Sequence, residues 1–106
     1  MAAQHTQEVT REIARRYADE LRKEFNLLGL YVYGSHVKGT SREDSDIDIA
    51  VITDAFSGDT VEDTWRLMKL RRAVDMRIEP HPFLPSEFTE ENPMAREVMR
   101  TGIRIV

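Results

Sequence analysis

The amino-acid sequence predicts an α/β (α+β) chain in which a few helices pack on a mixed β-sheet, and three observations carry that prediction. Apolar residues recur every four positions near the start, later segments alternate apolar and polar residues in a period of two, and the two kinds of segment are interleaved along the chain. With 106 residues there is material for one hydrophobic core and little for a second lobe, so residues 1–106 are read as a single domain.

The spacing predicts a first helix over Thr6 to Asn26. Val9, Ile13, Tyr17, Leu21 and Phe25 form its stripe, Ala14 and Ala18 widen it, and Gly29 is the expected terminator. Leu30 to Tyr33 is a short apolar run of strand formers that ends at Gly34. After a polar stretch between Gly34 and Ser45, Ile47, Ile49 and Val51 alternate with Asp46, Asp48 and Ala50, which predicts a strand with one apolar and one acidic face. Thr60-Val61-Glu62-Asp63 reads as a capping box, opening a helix with Val61, Trp65, Met68 and Arg72 along one side. Val74 to Glu79 alternates again, and Pro80 and Pro82 are expected to break that strand. Asn92 as cap and Pro93 at the first helical position start a last helix that stops at Gly102, and Ile103 to Val106 is an expected edge strand.

Composition removes several function classes. There are no cysteines, which excludes a disulfide scaffold, a thiolate zinc site and a cysteine nucleophile. The formal net charge of −4 opposes a phosphate backbone, and the basic clusters lie among acids, so direct nucleic-acid binding is not expected. No apolar run approaches the ~20 residues of a membrane span, and the first residues lack the basic-then-apolar order of a signal peptide. A cytoplasmic location is the expectation.

The chemistry concentrates between Tyr33 and Ile52, which reads YGSHVKGTSREDSDIDIAVI. On a strand, Asp46 and Asp48 share a face, with Cα atoms roughly 7 Å apart. Two like charges so close call for a cation, and hard oxygen donors suit Mg²⁺. Asp75 is a third acid on another alternating segment, and its carboxylate joins the pair if that segment lies beside the first. Three acids from two strands would meet the needs of two-metal phosphoryl or nucleotidyl transfer. Arg77 and Glu79 share the face of Asp75, and the pattern leaves their roles open. Upstream, Gly34 lets backbone N–H groups approach a phosphate, the Ser35 hydroxyl can donate to it, and Lys38 adds a cation within reach.

The string Gly34-Ser35, Gly39 and Ser45-Asp46-Ile47-Asp48-Ile49-Ala50-Val51 resembles the signature of the DNA polymerase β-like nucleotidyltransferase superfamily. In length the chain is similar to its smallest members, the minimal nucleotidyltransferases (MNT proteins) that accompany HEPN-domain partners in prokaryotic toxin-antitoxin operons. The resemblance implies a small nucleotidyltransferase fold and a Mg²⁺-dependent transfer of a nucleoside monophosphate, AMP from ATP, onto a protein acceptor. It implies a HEPN toxin as that acceptor, with this chain as its antitoxin. It also implies two Mg²⁺ ions on Asp46, Asp48 and Asp75, with Gly34, Ser35 and Lys38 toward the phosphates. Many relatives carry arginines where this chain has His36 and Lys38. The competing expectation is a non-catalytic antitoxin that masks its HEPN partner by binding. A small-molecule acceptor would call for a second lobe, which a homo-oligomer would have to supply.

Overall fold

The four-residue stripe at the start of the chain folds as helix α1, Ala2–Arg22. Ile13, Ala14, Tyr17, Ala18 and Leu21 are buried along it, as the pattern requires, while Val9 is partly exposed. The helix ends four residues before the expected Asn26. The Phe25 N–H still donates to the Leu21 carbonyl at 2.8 Å, but the chain has already left helical geometry, and the Phe25 ring meets Phe56 at 5.6 Å. The structure, a computed structural model, describes residues 2–34 and 46–106.

Strand β1, Leu27–Tyr33, starts earlier than Leu30. Gly29, expected to end the helix, lies inside it, next to an irregularity in the pairing with strand β2, Ile47–Thr53. The junction is held by the Thr53 hydroxyl, which donates to the Asn26 carbonyl at 2.7 Å. Helix α2, Thr60–Arg71, is capped by Asp59 rather than Thr60: its carboxylate accepts from the N–H groups of Val61 and Glu62. Asp63 is buried and accepts from the Ser57 and Gly58 N–H groups and the Ser57 hydroxyl. The inner side of α2 carries Asp63 and Leu67, with the Tyr17 hydroxyl donating to the Leu67 carbonyl at 2.8 Å. This turns the expected Val61 and Trp65 stripe outward, with Val61 81% and Trp65 57% exposed.

Strand β3, Ile78–Phe83, departs most from expectation, since it begins after Asp75 and runs through both prolines. Among the described residues the sheet has four strands in the order β3-β2-β1-β4, with β3 at an edge. It pairs parallel with β2, and Ile47 N–H donates to the Arg77 carbonyl at 2.8 Å. Parallel ladders alternate inward and outward N–H groups. The positions that donate to β2 are therefore 79, 81 and 83, and the missing N–H groups of Pro80 and Pro82 fall on the free edge. Helix α3, Pro93–Thr101, is capped by Asn92 as expected. At Gly102 a Cβ would lie 2.6 Å from the Val98 carbonyl and 3.0 Å from that of Val32, so the absence of a side chain lets α3 close on β1. Strand β4 is only Ile103–Arg104, although Ile105 N–H still donates to the Leu30 carbonyl.

The period-two pattern of β2 divides the core. Ile47, Ile49 and Val51 face α1 and α2 with Leu30, Val32, Leu67 and Ile78. Ala50 and Ile52 face the other way, toward Phe83, Ala95 and Val98. Each fully buried aliphatic side chain contributes about 1.5–3 kcal/mol, so reversing the direction of Asp48 would forfeit several such contributions at once. Among the described residues no helix is long and apolar enough to cross a membrane.

Candidate active site

Asp48 occupies the second position of β2, on the face opposite Ile47 and Ile49. Its antiparallel partner is Tyr33 at the end of β1 and its parallel partner is Glu79 on β3. In-register partners direct their side chains to the same face, and adjacent strands lie about 4.8 Å apart. The strand ends thus bring together a phenol and two carboxylates. Asp46 precedes β2 at the same parity and is exposed, Asp48 is half-buried, and Glu79 is exposed.

Gly34 explains how the chain makes room for this arrangement. Its φ is +80°, in the left-handed region, and a Cβ there would lie 2.5 Å from Asp48 Oδ2. A side chain at position 34 would therefore meet both backbone strain and the carboxylate. Of the other expected phosphate contacts, Ser35 and Lys38 lie outside the described residues, as does His36.

Asp75 differs from its expected placement. The strand begins at Ile78, so Asp75 sits in the turn that precedes it. Its Oδ1 accepts from the Arg77 N–H at 2.8 Å and from Arg77 Nε at 3.1 Å, while Oδ2 accepts from Nη2 at 2.9 Å. The side-chain hydrogen bond from Arg77 is the main reason the Asp75 carboxyl lies below the usual carboxylate range. Burial opposes it as the next largest effect, and the Arg77 N–H and the charges of Arg77 and Arg16 add to the lowering. The register position beside Asp48 belongs to Glu79. Its signal in the sequence was parity with Asp75 on the strand that carries the two prolines.

Two more side chains complete the surroundings. His81 Nε2 lies 3.5 Å from Asp48 Oδ1, and the His81 ring stands 5.7 Å from that of Tyr33. Burial, followed by the negative charges of Asp48 and Glu79, pushes the Tyr33 phenol above its ordinary range, so it keeps its proton. Among the described residues no three His, Asp or Glu side chains already converge closely enough to hold a metal ion. The donor chemistry nevertheless fits a hard divalent cation: carboxylate oxygens on neighbouring strand ends, with a glycine leaving one of them uncovered.

The family model described as Polymerase beta, Nucleotidyltransferase matches residues 16–106. Two solved structures are similar. A candidate nucleotidyltransferase from Sulfolobus solfataricus superposes with a TM-score of 0.69 at 20% identity, over 98% of this chain and 86% of that one. A toxin-antitoxin structure with AMP-PNP gives a TM-score of 0.63 at 25% identity, over 88% of this chain and 72% of that one. No curated protein sequence matches the chain.

Proposed function

The chain belongs to the Polymerase beta nucleotidyltransferase family, and on that premise we propose that it transfers AMP from ATP to a hydroxyl of a protein acceptor, using Asp46, Asp48 and Glu79 as its acidic centre. The observation that carries this reading is the in-register pairing of Asp48 with Glu79, beside a glycine whose missing Cβ leaves room for the Asp48 carboxylate. Asp75, saturated by Arg77, takes a structural role at the entry to β3.

Divalent magnesium, held by Asp46, Asp48 and Glu79, would neutralise the triphosphate and polarise the reacting oxygens. The rest falls to the chain itself. The acceptor oxygen attacks the α-phosphorus, the bond from that phosphorus to the bridging oxygen breaks, and pyrophosphate leaves with the electron pair. Glu79, exposed at the strand end, accepts the proton of the hydroxyl. Gly34, with Ser35 and Lys38, receives the phosphates. Most of the rate would come from positioning and electrostatics, as in phosphoryl transfer generally.

We place the acceptor on a HEPN-class toxin in the cytoplasm. The support for this is a structural neighbour, a toxin-antitoxin structure with AMP-PNP. The test is transfer of label from α-labelled ATP to that partner in the presence of Mg²⁺. Replacing both Asp46 and Asp48 by Asn should abolish labelling while the protein stays folded, and unchanged labelling would refute the assignment. Inhibition of the toxin at equal stoichiometry without ATP or metal would instead favour masking by binding.

A further inference from the structure

Beneath the acidic centre lie two polar atoms that the proposed transfer does not use. Tyr33 Oη and His81 Nε2 are both buried, and neither has a hydrogen-bond partner among the described residues. Buried polar groups are nearly always satisfied, so two orphans on adjoining side chains call for an explanation. They are not scattered. Tyr33 is the register partner of Asp48, His81 lies two residues after Glu79 on β3, and the two rings are 5.7 Å apart. His81 Nε2 is 3.5 Å from Asp48 Oδ1, near but too long for a good hydrogen bond. The phenol is a donor that keeps its proton, and an imidazole nitrogen donates in the appropriate tautomer.

We propose that Tyr33 and His81 are positioning residues for the acidic pair, donating from below to the carboxylates of Asp48 and Glu79 when these turn their outer oxygens to a divalent cation. The inference rests on the reading of Asp48 and Glu79 as metal-holding groups. A carboxylate that ligates with one oxygen has the other free to accept, and a donor fixed behind it sets the direction of the ligating lone pair. Burial of both donor atoms suits this role and excludes direct contact with substrate in the conformation described. The hydroxyl of Tyr33 rotates about one bond, and a small shift of the Asp48 carboxylate closes the gap to His81.

The test is a Mn²⁺ titration of the full chain without nucleotide, followed by the electron paramagnetic resonance signal of free Mn²⁺, with thermal midpoints recorded alongside. Tyr33→Phe removes one oxygen only, and His81→Leu removes the imidazole donor. Each should weaken Mn²⁺ binding by about 10- to 100-fold, the range for lost outer support of a metal ligand. His81→Gln, which keeps an N–H donor, should recover binding to within a few-fold of the unaltered chain. If Tyr33→Phe and His81→Leu bind Mn²⁺ as the unaltered chain does while Asp48→Asn loses it, the positioning role is overturned and the acidic centre stands. If Asp48→Asn also binds unchanged, the acidic centre itself fails. A lower thermal midpoint with unchanged affinity marks the two side chains as packing groups and overturns the proposal.

Discussion

At the start of β2, Asp48 stands between Tyr33 and Glu79 in the sheet register, and Gly34 gives up a side chain to leave it room. In the turn before β3, Asp75 has both oxygens bonded by Arg77. The first carboxylate has another acid as its register partner, a pairing that suits a cation. The second already has its cation. Presence of an aspartate on an alternating segment does not distinguish the two situations, whereas the neighbours that strand register supplies do.

The largest effect in this comparison is expected at Gly34. Gly34→Ala would put a Cβ into the Asp48 carboxylate and cost about 1–3 kcal/mol through the left-handed backbone alone. Nucleotide transfer should fall on the order of 10²-fold or more, the scale set by losing one preorganised electrostatic group. A variant with normal transfer and an unchanged thermal midpoint would show that the close approach of Gly34 and Asp48 has no consequence.

Asp75 should show its role in stability and pH dependence. Its folded pKa is depressed, so its contribution is fully present above the unfolded value of about 3.9. That contribution is lost as pH falls through the lower folded pKa. Denaturant unfolding of Asp75→Asn should therefore show a deficit against the unaltered chain that is constant from pH 5 to 8 and shrinks as acid protonates the carboxylate. A deficit that grows with acid would contradict the Arg77 assignment.

The smallest effect belongs to Trp65. Exposed on α2, with Lys69 Nζ 5.7 Å from its ring centroid, it contributes little to the core. Trp65→Ala should change unfolding free energy by no more than about 0.5 kcal/mol. A loss of several kcal/mol would restore the buried stripe that four-residue spacing suggested.

These contrasts also separate what the chain shows locally from what it does not. The face of Asp48 was legible because alternation over Ile47, Ile49 and Val51 is a short-range pattern that burial enforces. The α3 boundaries were legible because Asn92, Pro93 and Gly102 act on adjacent backbone groups. The partner of Asp48 was not, because the choice among residues 75, 77 and 79 depends on where β3 starts and how it registers with a strand some thirty residues earlier. Pro80 and Pro82 obscured that start, since prolines end a strand unless it is an edge with their nitrogens turned outward. The inward side of α2 was hidden for a similar reason: Leu67 is buried in the cluster that also holds Tyr17, fifty residues away, a placement the spacing of Val61 and Trp65 does not show.

The most direct measurement is the rate of AMP transfer to the partner by Glu79→Gln and by Asp75→Asn, compared at equal folded fraction. The account predicts that Glu79→Gln loses on the order of 10²- to 10³-fold or more while Asp75→Asn stays within about tenfold of the unaltered chain. The reverse order, with Asp75→Asn inactive and Glu79→Gln near normal, would contradict it.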